Sequence, residues 1–271
     1  MTRGISIAVA LFLALFQPGA GAQTSADPRI ALIIGNGAYQ FDKLRNPVND
    51  ATDMAEALKP FGFKVILRTD ATQRQMKRAL REFRSELSRG GVGLFYYAGH
   101  GVQSRGRNYL IPVGADIEQE SDVEDEAVDA NVILAYMEEA GTRVNIIVLD
   151  ACRNNPFSRG FRSASRGLAI METVAKGTFI AYATAPGSVA GDGDGRNGLY
   201  TKHLLNSLRD PDSDIERVFK RVRTGVAAET RNSQIPWDSS SLLGDFRFGL
   251  TKPKPAPASG DKPTQFFAPR F

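Results

Sequence analysis

Two apolar runs limit the choice of fold more than any other feature of this chain: GVGLFYYAG at residues 91–99 and VNIIVLDA at residues 144–151. Both are rich in β-branched and aromatic side chains, and they are apolar at nearly every position rather than at every second one. Runs of that kind are strands covered on both faces, as in parallel sheets sandwiched between helices. RIALIIG (29–35), FKVILR (63–68) and GTFIAYATA (177–185) repeat the signal. Between them the apolar spacing changes to that of helices. Ala51, Met54, Ala55 and Leu58 share a face over 49–58, with Pro60 as a stop, and Met76, Leu80, Phe83 and Leu87 do so over 72–88. Residues 132–139, 199–208 and 213–230 complete the helices, the last opening on Ser213-x-x-Glu216, a capping box. Residues 242–248 are predicted as a final strand. The expectation is an α/β fold, a mostly parallel sheet with helices on both faces and its site at the carboxyl ends of the strands.

Hydrophobic residues make up 42% of the chain and charged ones 24%, enough apolar content for a real core. The net charge is only +4, with the basic residues scattered among acids, so no nucleic-acid footprint is predicted. The opening MTRGISIAVALFLALFQPGAGAQ has Arg3, an apolar run over 5–16, a break at Pro18-Gly19 and the small residues Ala20 and Ala22. It reads as a secretory signal, residues 1–22, whose apolar run is too short for a bilayer span. The expectation is export, to the periplasm or beyond, with no membrane span after signal removal. A short segment (23–28) then leads into one domain over 29–250. Within it, 159–176 is polar, basic and glycine-dotted, an exposed loop between a larger part (29–158) and a smaller one (177–250). The proline-rich stretch 251–271 reads as a disordered tail.

Cys152 is the only cysteine, so no internal disulfide can form and packing must supply stability. A lone cysteine is open to two readings, a small buried apolar residue or a reactive thiol. His100 is likewise either a structural histidine or a base. Each follows directly on one of these two apolar runs, in YYAGHG and LDACRNNPF. If those strands are parallel neighbours, the two residues stand side by side at one sheet edge. A thiol attacks a carbonyl as the thiolate, and an imidazole beside it can take the proton and hand it to the leaving amine. Backbone N–H groups of Gly101 and Cys152 are candidates for the oxyanion hole. No third, orienting side chain can be picked out.

YYAGHG, followed about fifty residues later by DACRNNPF, resembles the caspase superfamily. YATAPG (182–187) is similar to the tract that opens the small-subunit part of caspases. NPVNDA (46–51) is similar to the first substrate loop of the metacaspases and bacterial orthocaspases. The likeness spans residues 29–248. It implies the caspase fold, with about six mostly parallel strands, and peptide-bond hydrolysis by a cysteine–histidine dyad, here Cys152 and His100. Protein or peptide substrates are implied as partners, with a monomer favoured over a dimer.

The specificity implied differs from that of animal caspases, which cut after aspartate. Asp150 stands where they carry a glutamine, Asp192 where they carry an arginine, and Asp50 lies in the first substrate loop. Carboxylates in those places favour cleavage after Arg or Lys through charge-assisted pairs. Arg45, beside the same loop, would instead favour an acidic residue. Asp50 also reads as a helix N-terminal acid and Asp192 as a solvated turn residue. Arg159, Arg162 and Arg166 in the basic loop, with Lys176, would suit self-cleavage.

The chemistry needs no cofactor, although some relatives require calcium. Seven acids over 116–126 would suit that ion or simply form a solvated loop, and the acid that some relatives place seven residues after the cysteine is Arg159 here. With two histidines and one cysteine no His/Cys zinc site is expected, and no Walker, dinucleotide or G-x-S-x-G motif occurs. The competing reading is an interaction module that keeps the fold without the catalysis.

Overall fold

The computed structural model describes residues 27–152, 168–171, 176–185, 193 and 195–250. The elements run β1 (Arg29–Gly35), α1 (Pro47–Leu58), β2 (Phe63–Thr69), α2 (Gln73–Glu86), β3 (Val92–Ser104), β4 (Arg107–Leu110), α3 (Val123–Glu126), β5 (Val128–Asp129), α4 (Asn131–Ala140), β6 (Val144–Cys152), β7 (Thr178–Tyr182), α5 (Leu199–Ser207), α6 (Ile215–Glu229) and β8 (Trp237–Ser240). The sheet order is β2-β1-β3-β6-β7-β8, the six strands expected, and only β8 is antiparallel to its neighbour. Two small strands lie off this path: β4 pairs with the outer part of β3, and β5 with β4.

Strand alternation divides the core. Ile33, Leu94, Tyr96, Ile146 and Val148 face α1, α5 and α6, where Met54, Leu204 and Val222 close over them. Leu32, Phe95, Tyr97, Ile147 and Leu149 face α2 and α4, against Phe83 and Met137. Apolar burial on both faces is why the central strands show no polar alternation. A third cluster, with Tyr39, Val102, Tyr109 and Ile111, caps the strand tips.

Three expectations need correction. β3 does not stop at Gly99 but continues to Ser104, because its outer residues find a new partner in β4. The cap of α6 is Asp214 rather than Ser213: Asp214 accepts the N–H of Arg217 at 2.8 Å, and the Ser213 hydroxyl donates to Asp210. The last strand is WDSS at Trp237–Ser240, not residues 242–248. Phe246 and Phe248 are apolar because they are buried at the foot of the sheet, with ring centroids 5.3 Å apart, and an edge strand such as β8 needs no apolar pattern. Among the described residues no helix is long and apolar enough to cross a membrane.

Candidate active site

β3 and β6 pair in parallel from Val92↔Val144 to His100↔Cys152, and this last pair ends the ladder. The backbones carrying histidine and cysteine are therefore direct neighbours. The His100 side chain is fully buried, and its Nε2 lies 2.6 Å from the backbone oxygen of Asp42. A carbonyl oxygen only accepts, so Nε2 carries the hydrogen and Nδ1 is the basic nitrogen of the neutral ring. The Asp42 carboxylate lies 3.9 Å from Nε2. Tyr39 and Phe41 cover the imidazole, with centroids at 4.4 and 5.6 Å.

Buried phenols hold the histidine backbone. The N–H of His100 donates to the Tyr39 hydroxyl at 3.1 Å, and Tyr39 donates to the Ile111 carbonyl at 2.9 Å. Tyr97, on the opposite face of β3 from Tyr96, donates to the carbonyl of His100 at 2.8 Å. Gly99 makes this possible, because it has φ +154° and a Cβ there would lie 2.7 Å from both hydroxyls. The loop carrying Tyr39 and Asp42 is tied down at its start, where the Asp70 carboxylate accepts the N–H groups of Gly37 and Ala38 at 2.8 and 2.9 Å.

Two of the predicted carboxylates bond the start of α5 on the other face. Asp150 stands in β6 opposite Ala98, and its Oδ2 accepts the Thr201 hydroxyl of α5 at 2.6 Å. Asp50, nearly fully buried in the first turn of α1, accepts the N–H of Gly198 at 2.9 Å. α1 lies so close to the strand tips because Gly35 lacks a side chain: a Cβ there would be 2.1 Å from the Pro47 carbonyl. Tyr96 feels the charge of both acids. Burial first, then the charges of Asp150 and Asp50, push its phenol well above the ordinary value. Asp53 fastens the segment before α5 by accepting Arg196 at 2.9 and 2.8 Å and Asn197 at 2.8 Å. The hydrogen bond from Arg196 is the main reason that its carboxyl lies below the usual range.

The Cys152 side chain, Asp192, Arg159, Arg162 and Arg166 lie outside the described residues. Gly101 sits in β3 against Ala151, where an added Cβ would come within 3.1 Å of the alanine methyl. Arg45 and Lys176 are exposed, and His203 pairs with Glu229 at 2.9 Å. Several acids of 116–126 are engaged within the protein. Asp122 accepts the N–H groups of Glu118 and Gln119, Glu120 accepts Ser104, and Glu124 pairs with Arg105. Among the described residues no three acids, histidines or cysteines converge. The orienting groups Asp42, Tyr39, Tyr97 and Thr201 escaped sequence reading. For Asp42 no side-chain signal exists, since its carbonyl acts.

Neighbouring parallel strands thus end on a histidine and a cysteine, with Asp150 two residues before the cysteine. The Caspase domain family (Peptidase_C14) matches residues 28–247. Human mucosa-associated lymphoid tissue lymphoma translocation protein 1 is 32% identical over 190 residues, 69% of this chain, and its homolog from Mus musculus aligns equally well. The chain spans about a fifth of the length of those curated relatives, 22%. Caspase-1 from Spodoptera frugiperda superposes with a TM-score of 0.61 at 15% identity, covering 83% of this chain and 93% of that one. The chain belongs to the caspase-domain family of cysteine-type peptidases.

Proposed function

We propose that this protein is a cysteine endopeptidase in which Cys152 and His100 form the dyad and cleavage follows Arg or Lys. The observation that carries the reading is the terminal pair His100↔Cys152, with a buried imidazole held in one tautomer. In this reading Nδ1 of His100 takes the thiol proton as the sulfur attacks the scissile carbonyl carbon. Backbone N–H groups of Gly101 and Cys152 receive the oxyanion. Collapse breaks the C–N bond, and the imidazolium returns its proton to the leaving amine. A water, deprotonated by His100, then hydrolyses the thioester, releases the carboxylic product and restores the thiol.

Asp50 and Asp150 form the subsite for the basic residue, joined by Asp192. An interaction module without catalysis would have no use for a fixed histidine tautomer beside the only cysteine. A preference for acidic residues would need Arg45 to outweigh two carboxylates. Self-cleavage at Arg159, Arg162 or Arg166 and export directed by residues 1–22 belong to the same proposal.

A panel of fluorogenic peptides ending in Arg, Lys or Asp tests the core of it, with Cys152→Ala as control. Turnover of the Arg and Lys peptides by the wild type, lost by at least about 10⁴-fold in Cys152→Ala, is the expected result. Faster turnover of the Asp peptides would overturn the specificity, and no turnover of any peptide would favour the interaction module.

A further inference from the structure

Thr201 and Tyr96 have no place in the chemistry above, yet both side chains are fully buried beside Asp150. The Thr201 hydroxyl donates to Asp150 Oδ2 at 2.6 Å and lies 2.5 Å from the Tyr96 hydroxyl. A hydroxyl has a single hydrogen. Thr201 gives its hydrogen to the carboxylate, so the bond between the two hydroxyls must be donated by Tyr96. The phenol is well suited to that part, since burial and the adjacent carboxylates keep it protonated. The three groups make one directed chain, from the phenol through the threonine to the carboxylate.

We infer that Thr201, locked by Tyr96, is the positioning residue that aims Asp150 at a cationic substrate side chain and so sets the charge selectivity of the site. Donation to a carboxylate favours its ionised form and removes its rotational freedom, the two properties needed to receive a guanidinium. Each carboxylate oxygen has two lone-pair sites, so Oδ2 can keep its bond to Thr201 while the group receives a guanidinium. The chain also links three elements: Asp150 lies near the end of β6, Tyr96 lies inside β3, and Thr201 lies in the first turn of α5. That first turn is itself held to α1, through Gly198 on Asp50 and the Arg196–Asp53 pair. Both proposed acids are therefore set by the same short stretch of chain.

This inference rests on the proposed preference for Arg or Lys, and the test separates the two. Matched peptides ending in arginine or citrulline, its neutral near-isostere, are compared on the wild type, Thr201→Val, Thr201→Ser and Tyr96→Phe. The wild type is expected to favour arginine. Thr201→Val is expected to lose about tenfold in that preference, chiefly through KM for the arginine peptide. Thr201→Ser, which keeps the hydroxyl, is expected to retain most of it, and Tyr96→Phe to lose about threefold. Equal falls for both peptides in Thr201→Val, with no change in their ratio, would mean a merely structural role and overturn the inference. If the valine variant does not fold, an unchanged ratio in Tyr96→Phe overturns it equally. A wild type blind to the difference between arginine and citrulline would sink the specificity reading itself, and this inference with it.

Discussion

Tyr96 and Tyr97 are consecutive residues of one strand, and their hydroxyls serve opposite sides of the site. Tyr97 reaches the backbone of His100, and through the Tyr39 hydroxyl the region fixes the residue whose ring would move protons. Tyr96 reaches Thr201 and, through it, the carboxylate that would hold a substrate side chain. The period of two in a strand is what separates them, since adjacent residues point to opposite faces. One strand can thus support the base from one helical layer and recognition from the other. Damage on the Tyr97 side should act mainly on kcat, and damage on the Tyr96 side mainly on which peptide is chosen.

The largest break in this division is expected from Gly99→Ala. A Cβ there strikes both phenols on the histidine side, in a conformation that side chains rarely adopt. Activity towards every peptide should fall by about 10²-fold, with the ratio of arginine to citrulline turnover retained, as steady-state kinetics would show. Next comes Asp150→Asn on the other side, which should cost roughly 10- to 100-fold in kcat/KM for arginine peptides and far less for citrulline peptides. Tyr97→Phe should lower kcat by about tenfold, since the His100 carbonyl loses one of its donors. A change in selectivity from either histidine-side variant would dissolve the comparison.

The smallest effect concerns the strap that holds the recognition side. The folded carboxyl of Asp53 is depressed from an ordinary 3.8 by its bonds to Arg196 and Asn197. Its contribution is therefore present above pH 3.8 and lost as the pH falls through the lower folded value. Asp53→Asn should reproduce that loss at neutral pH as a two- to threefold rise in KM for arginine peptides, within the range of an exposed ion pair.

The central strands were legible because burial on both faces leaves unbroken apolar runs, and β1 matches its prediction at both ends. From those runs the adjacency of His100 and Cys152 followed once the strands were taken as parallel neighbours. The continuation of β3 was not legible, since Gly99-His100-Gly101 carries the composition of a turn and only pairing with β4 makes it a strand. β8 was missed for a related reason, because an edge strand of polar residues leaves no hydrophobic signature. Asp42 acts through its backbone, and Thr201 matters only through residues about fifty and one hundred positions away in sequence. Contacts of that kind come from tertiary structure alone.

The whole account depends on the imidazole of His100 acting on the sulfur of Cys152, and the rate of Cys152 alkylation by iodoacetamide as a function of pH reads that coupling directly. The expected result is rapid labelling of the wild type well below the pH of about 8.5 at which an ordinary thiol ionises, and a return to ordinary thiol behaviour in His100→Ala. Identical profiles for the two proteins would mean that the histidine does not touch the chemistry of the thiol.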